Sequence, residues 1–518
     1  MRGPSSSHCA AALRIGRLCR DLMNGCIETV LVSYDPNGSL ATTHTAQGTD
    51  MGLYSGLLGY SADDERLPQY LQAIKTAGIQ VETRIEPIKA THPNTYELTL
   101  QNFADTHRVK AISTGGGMIE ILAIDDHPVN IFGDFFETLL FADDRANLPE
   151  LESRCAALKA VIYCQCHTAG NGMIQLKSRS PLPGDFIDNL GSRRDIHRIV
   201  CLKPVLPILS GTISDLPFSS AREFLRLEKV YEKTLWQHAL DYESHRGGIS
   251  EGDVMQKMAI IVGIMRRSIN EGLAGTHYHD RILQSQSPRF QQMIDTNALL
   301  DAGMLNKIIP YVSAIMEVKS SMGVIVAAPT AGSCGALPGA VIAVGDTLDE
   351  SDENIVKAML CAGLVGLFIA RHATFAAEVG GCQAECGSGA GMAAAALTCL
   401  AGGDSSQCLA AASLALQNSF GMICDPIANR VEAPCLGKNI MAASNVLSCS
   451  NMALAQYDAI IPIDEVIDAM FAVGNSLPAS LRCTGKGGLA ATPTARAIES
   501  RLGQGEGNQS NTAGFKIC

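Results

Sequence analysis

Three cysteines stand where a ligand can project from a rigid element. Cys382 lies in Gly380-Gly381-Cys382-Gln383-Ala384-Glu385-Cys386-Gly387, Cys424 opens Cys424-Asp425-Pro426, and Cys435 follows Ala433-Pro434. Glycine at that density lets the backbone approach a bound group closely. Thiolates from three separated segments suit an iron–sulfur cluster with one iron left without a protein thiolate. Such an iron can act as a Lewis acid on a substrate oxygen. None of the three forms a C-x-x-C knuckle, so spacing alone announces neither zinc nor a ferredoxin. The plain alternative for each is a buried packing thiol, and Cys155, Cys399, Cys408 and Cys449, inside helical patterns, read that way. The final residue, Cys518, is unusual: it ends a Gly/Asn/Gln/Ser-rich stretch expected to be flexible.

Composition bounds what must hold these residues. At ~100–200 residues per domain, 518 residues predict two to four domains and need no disulfide staples. Hydrophobic residues make up 47% but aromatics only 5%, and there are 49 Gly, so the core must be built from small and aliphatic side chains in close-packed helices. A net charge of −12 with no basic run argues against nucleic-acid or anionic-membrane partners. Met1-Arg2-Gly3-Pro4 runs directly into Ser5-Ser6-Ser7-His8 without a secretory pattern. The expected compartment is therefore cytoplasmic and reducing, with the 18 cysteines mostly free. The run from Ala358 to Ala370 stops at Arg371-His372, short of the ~20 residues of a membrane span.

The elements divide into two regimes. Over residues 1–145, helical spacing in Ala10 to Asn24 and Leu67 to Ala77 alternates with strand signals at Thr29 to Tyr34, Val81 to Pro87, Thr95 to Asn102, Val109 to Ser113 and Met118 to Ile124. This predicts an α+β domain. Residues 158–208 suggest a small α/β module, ferredoxin-like and a candidate regulatory unit. From 219 to 500 nearly every pattern is helical (Arg222 to Glu243, Glu251 to Leu273, Phe290 to Ala302, Ile355 to Ala370, Met392 to Ala401, Gln407 to Ser419, Asp464 to Gly474), which predicts an all-α domain. Residues 501–518 are expected to be a flexible tail.

These words together resemble the bacterial iron–sulfur-dependent L-serine dehydratase family (L-serine ammonia-lyases) with its β and α parts fused. The matching segments are Gly3-Pro4-Ser5-Ser6-Ser7-His8, Gly38-Ser39-Leu40-Ala41 with Gly48-Thr49-Asp50, and Thr114-Gly115-Gly116-Gly117. Then follow Ala328-Pro329-Thr330-Ala331-Gly332-Ser333, Gly381-Cys382-Gln383-Ala384-Glu385, Asn418 through Asp425-Pro426 to Pro434-Cys435, and Gly487-Gly488-Leu489-Ala490. The resemblance implies an N-terminal domain like an allosteric substrate-binding domain and an all-α catalytic domain. It implies a [4Fe–4S] cluster held by Cys382, Cys424 and Cys435, with Cys518 able to reach the fourth iron. It further implies an oxygen-sensitive, pyridoxal-independent β-elimination of L-serine to pyruvate and ammonia, in amino-acid degradation, by a homodimer.

Such a reaction needs a base. His8 is the first candidate, because imidazole titrates near working pH; the alternative is that it hydrogen-bonds the substrate carboxylate or caps the helix near Ala10. Ser5, Ser6 and Ser7 offer hydroxyls and N–H groups for a carboxylate, or ordinary N-caps. His44 is a second candidate base, or a surface-loop histidine. The loop carrying Thr330, Ala331, Gly332 and Ser333 could cradle a carboxylate through its N–H groups, or simply start a helix. Lys486 could bind a carboxylate or shield cluster charge, but a solvated loop lysine is the plainer reading. Cys9 departs from the family's residue after the Ser-Ser-Ser-His word and puts the substrate in question. The alternatives are the same elimination on threonine or cysteine, a non-catalytic iron–sulfur sensor, or a zinc or thiol protein.

Overall fold

The computed structural model describes residues 1–143, 147–167, 172–206, 216–231, 233–278 and 281–510. The first sheet has strands β1 (Thr29–Tyr34), β2 (Gln80–Ile85), β3 (Thr95–Gln101), β4 (Thr106–Gly115), β5 (Met118–Ile124) and β6 (His127–Ile131), in the order β2-β1-β3-β4-β5-β6. Only β1 and β2 are parallel, and the chain between them carries the helix Thr49–Leu57. Strand β4 alternates buried and less buried residues along its length, the period-2 pattern of a half-covered strand. Helix Ala11–Leu22 packs on this sheet and against the 49–57 helix, with glycines where the two meet. A Cβ on Gly52 would lie 2.0 Å from the Cys9 carbonyl oxygen, and one on Gly56 2.2 Å from that of Leu13. Backbone touches backbone here, which the abundant glycine permits.

The second sheet has strands β7 (Phe136–Ala142), β8 (Val161–His167), β9 (Gly172–Ser178) and β10 (Ile196–Leu202), in the order β10-β7-β9-β8 and antiparallel throughout. Helices Leu148–Ala156 and Gly184–Gly191 complete a β-α-β-β-α-β unit, the ferredoxin-like pattern expected of this region. Its first strand and helix precede residue 158, so the unit begins at Phe136 and not at the expected boundary. The reason is visible in β7: it is central, buried along nearly its whole length, and so lacks the alternation that marks a half-covered strand.

Beyond residue 216 the described chain is helical. The pattern expected as one helix from Arg222 to Glu243 is two, Ala221–Tyr231 and Leu235–Gly247, the second opened by a Thr234/Gln237 capping box. Helices Leu305–Ser320 (with Pro310 inside), Ala336–Thr347 and Cys435–Leu454 were not anticipated, because glycine, proline and asparagine mask their patterns and burial overrides propensity. The helix Pro493–Ser510 extends into the stretch expected to be flexible, while Cys518 lies outside the described residues. Among the described residues one helix, Asp352–His372, is long and apolar enough to cross a membrane by length and composition, but 67% of its apolar window is buried within the fold. It packs on the Ala-rich helix Ser388–Leu400 at the centre of the domain.

Candidate active site

The three singled-out cysteines converge, although they sit on different elements. Cys382 follows Gly381, whose φ of 72° and closeness to the Met422 carbonyl oxygen (2.8 Å from an added Cβ) admit only glycine. Cys424 is fixed by a short two-stranded contact in which its N–H donates to Leu481 O (2.8 Å) and the Cys483 N–H donates to Cys424 O (2.9 Å). Cys435 is the first residue of the helix Cys435–Leu454. The thiols of Cys382 and Cys424 and the carboxylate of Glu385 lie within 4.8 Å of one another. Cys483 packs in the same apolar cluster as Cys382 and Cys424, and Cys386 and Cys435 adjoin it. All five cysteines are buried and free.

Burial and neighbouring thiols push Cys386 and Cys435 up, while hydrogen bonding to Cys382 and Cys483 and then burial push Cys424 up. Two lysines oppose this at Cys435. Lys438 Nζ lies 3.9 Å from Cys382 Sγ and donates to Ile423 O and Asp425 Oδ1, both at 2.6 Å. Lys319, fully buried, donates to Val431 O. Crowded soft donors, buried without disulfides and faced by ammonium groups, fit a thiolate-held iron–sulfur group and not a hard cation. The three segments carrying Cys382, Cys424 and Cys435 would hold it.

The N-terminal domain closes over these thiols. Ser6–Ala10 form a wide helical turn ahead of helix Ala11–Leu22, and Ser5 precedes the turn without capping it. His8 is fully buried. The Thr43 hydroxyl donates to Ser39 O (2.7 Å), so it accepts from His8 Nε2–H (2.8 Å). Nδ1 is then the acceptor, taking the Ser5 hydroxyl at 3.0 Å, with Glu378 Oε1 3.4 Å away. Burial, helped by the nearby His44, lowers His8 to about 3, so it is neutral at working pH. Burial raises Glu378, whose Oε2 has no hydrogen-bond partner among the described residues.

Ser6 Oγ accepts from Ala331 N–H (3.1 Å), tying the N-terminal turn to the 328–335 loop. Within that loop Ser333 N–H donates to Thr330 Oγ1 (3.2 Å), and the N–H groups of Gly335 and Ala336 donate to Asn439 Oδ1. Those N–H groups are engaged by the protein itself, and the loop leads into the 336–347 helix. It reaches the thiol group in another way. Thr330 Oγ1 donates to Glu385 Oε1 (2.7 Å), Gly332 lies against the Glu385 carboxylate, and Asn439 Nδ2 donates to both Gly332 O (2.8 Å) and Cys435 O (2.9 Å). Burial pushes Glu385 up to about 7.

The other candidates fall elsewhere. Ser7 is buried in the same turn. His44 is half-buried beside Tyr34 and held by both oxygens of Asp50 (2.8 and 2.9 Å). Lys486 is exposed on its loop, as the plainer reading had it. Cys9 packs its side chain with Leu13, Met51 and Leu67 in an apolar cluster separate from that of Cys382, Cys424 and Cys483. Sequence reasoning missed Glu378, Glu385, Arg482 and Cys483 as site residues. The two glutamates lie three and four residues from Cys382, and Arg482-Cys483 stand a few residues before Gly487-Gly488-Leu489-Ala490, so adjacency was an available signal. Lys319 and Asn439 lie inside helices and carried none. A cleft of about 400 Å³ opens between the domains, lined by Ser39 and His92 on one side and by Glu378 and Arg482 on the other. Glu378 in its wall has Oε1 3.4 Å from His8 Nδ1.

Fold and site together describe a two-part enzyme with a buried thiol centre and a cleft at the domain boundary whose wall includes Arg482, next in sequence to Cys483. Residues 230–490 match the family described as serine dehydratase alpha chain. The probable L-serine dehydratase alpha chain of Bacillus subtilis (strain 168) is 36% identical over 285 residues, 55% of this chain and 95% of the relative. The L-serine dehydratase alpha chain of Peptoniphilus asaccharolyticus is 34% identical over 281 residues, 54% of this chain and 96% of its own. L-serine dehydratase 2 of Escherichia coli (strain K12) is 27% identical over 510 residues, 94% of this chain and 96% of its own, so the match extends through the N-terminal part. This chain belongs to the serine dehydratase alpha-chain family.

Proposed function

We propose that the protein is an L-serine ammonia-lyase that forms pyruvate and ammonia by an iron–sulfur-assisted β-elimination. The observation that carries this reading is the convergence of the buried Cys382, Cys424 and Cys435 close to the domain boundary, where Glu378, a residue of the cleft wall, lies 3.4 Å from His8. When bound, the cluster supplies a Lewis acid for the β-hydroxyl. The remaining work belongs to the chain. Glu378 Oε2, lacking a partner, receives the substrate ammonium, and Arg482, whose Nε also lacks one, faces the carboxylate. Serine displaces Ser5 from His8 Nδ1, and His8 moves the α-proton, with the Glu378 carboxylate beside it to stabilise the imidazolium. Closure of the two domains over the thiols excludes water.

The same reading makes the enzyme an oxygen-sensitive homodimer of a reducing, cytoplasmic compartment, in keeping with seventeen free cysteines among the described residues. It also gives Cys518 the part of a thiol that reaches the substrate iron from the tail. Anaerobic purification with iron reconstitution tests the proposal, followed by visible absorption and pyruvate release from L-serine, with keto-acid assays on threonine and cysteine. A visible chromophore and pyruvate are expected. No chromophore and no keto acid from any substrate would overturn it, and keto acid only from threonine or cysteine would reassign the substrate.

A further inference from the structure

A second group of thiols lies away from the cleft. Cys361 stands in the middle of the helix Asp352–His372, Cys399 is the last but one residue of the helix Ser388–Leu400, and Cys408 is near the start of the helix Ser405–Gln417. The three helices pack in that order. All three cysteines are free, and the Cys399 sulfur is hydrogen-bonded to both of the others. Their surroundings differ. Cys361 and Cys408 are 0% and 1% exposed, whereas Cys399 is half-buried and reaches solvent. The two S–H groups donate to Cys399 and hold its thiol below the ordinary range, against the effect of burial. The bond to Cys399 and then burial push Cys408 up, and burial and then the same kind of bond push Cys361 up. Burial pushes the half-buried Cys164 and Cys166 up as well, so partial exposure alone does not produce what is seen at Cys399. One sulfur is a thiolate at the surface, and two protonated thiols touch it from inside. Cys399 and Cys408 are joined by the short corner Ala401-Gly402-Gly403-Asp404, with Gly402 at a φ of 82°.

We propose that Cys399 is a modification site for hydroperoxides, with Cys408 as the thiol that closes a disulfide on it. The thiolate attacks one peroxide oxygen, the O–O bond breaks, and the leaving hydroxide or alkoxide takes up a proton. Sulfur is oxidised by two electrons to a sulfenic acid, and the peroxide is reduced. The Cys408 sulfur then attacks the Cys399 sulfur, the S–O bond breaks, and the oxygen departs as water with the Cys408 proton. A small dithiol reverses the modification. The glycine corner lets Cys408 make the small approach that an S–S bond needs, whereas Cys361 is fixed in mid-helix and keeps its proton. The helix that carries Cys399 begins directly after the Gln383–Gly387 turn, so the site lies about 17 Å along that helix from the thiol loop, at 1.5 Å per residue. None of the three sulfurs is a cluster ligand in the reading above, and the reaction needs no iron.

The test treats the full-length protein, purified anaerobically, with equimolar hydrogen peroxide, quenches with N-ethylmaleimide and maps the cysteines by peptide mass spectrometry. A Cys399–Cys408 disulfide is expected in the wild type before the exposed Cys26 and Cys201 are oxidised. Cys408→Ser is expected to stop at a sulfenic acid on Cys399 that dimedone labels, and Cys399→Ser to leave Cys361 and Cys408 reduced. Iodoacetamide labelling against pH reads the thiolate itself. Wild-type Cys399 is expected to label at pH 6, where an ordinary thiol with a pKa of about 8.5 is less than about 1% ionised. Cys361→Ala removes one donor and is expected to move that labelling to higher pH, a shift that lost packing alone does not produce. Melting temperatures show that the variants are folded, and the wild-type map depends on none of them. Oxidation of Cys26 or Cys201 ahead of Cys399, a disulfide to Cys361 in place of Cys408, or Cys399 labelling that follows the ordinary thiol curve overturns this inference.

Discussion

Replacing Lys438 with methionine separates the two tasks that its ammonium performs. Nζ bonds Ile423 O and Asp425 Oδ1 at 2.6 Å and lies 3.9 Å from Cys382 Sγ. Without it Asp425, whose side chain is 3% exposed, keeps a charge bonded, among the described residues, only to Leu489 N–H at 2.8 Å. Breaking a buried pair from one side costs about 3–5 kcal/mol. The Lys438 side chain is 16% exposed, so solvent screening sets the expected loss at about 2–3 kcal/mol. The second task concerns metal uptake, which needs deprotonated thiols. A unit charge at about 4 Å in an effective dielectric of about 20 is worth about 4 kcal/mol, an upper bound near three decades of iron affinity. Thermal unfolding of the metal-free protein reads the first quantity, and iron per chain after reconstitution at limiting iron reads the second. Asp425→Asn added to Lys438→Met removes the orphaned charge while its amide oxygen still accepts from Leu489. That double variant is expected to recover most of the melting temperature and none of the iron uptake. A single variant that melts like wild type, or a double variant that binds iron like wild type, would refute the reasoning.

Three other perturbations address the scaffold. His8 has a folded pKa lowered to about 3 from 6.5, so the unfolded chain binds the extra proton between those values. Stability from this site is intact above pH 6.5 and falls as pH drops, by about 2 kcal/mol between pH 6.5 and 5. Urea midpoints at the two pH values should show that His8→Gln flattens this acid limb; an unchanged limb would remove His8 as its cause. Gly52→Ala places a Cβ 2.0 Å from the Cys9 carbonyl oxygen, where ordinary contact begins at 3.4 Å, so the 11–22 and 49–57 helices must part. A loss of about 1–3 kcal/mol and a raised KM for serine are expected, because Ser5–His8 move with the turn; wild-type values for both would contradict the backbone contact. In the second sheet, Lys177 Nζ lies 3.4 Å from Glu137 Oε1, with side chains 4% and 0% exposed. Burial pushes Glu137 up to about 7 even beside Lys177, so without the lysine it takes up a proton instead of standing as a bare charge; Lys177→Met is expected to cost about 1–3 kcal/mol and Glu137→Gln to restore much of it. Denaturant midpoints of the single and double variants check this pair.

Local pattern carried much of the answer. The Gly- and Pro-flanked words around Cys382, Cys424 and Cys435, and the switch from alternating strands to helical spacing near residue 219, are properties of short windows. They located the thiol loops and the α+β and all-α division, while the α/β unit expected at 158–208 starts earlier, at Phe136. The sequence also pointed to close helix packing, because glycine and alanine stand where aromatics are scarce. What it could not supply are the relations made by packing. Strand β7, central in the second sheet, is hidden in the sequence because a strand buried along nearly its whole length loses its alternation. Helices around Pro310 and in 435–454 form because burial outweighs propensity. Above all, His8 meets Thr43 and Glu378, Ser6 meets Ala331, Gln47 meets Cys483, and Asn439 joins the Gly332 loop to Cys435. Most of these partners lie tens to hundreds of residues apart, so no window contains both. Their protonation and donor roles follow from burial, which exists only once the two domains have closed on each other.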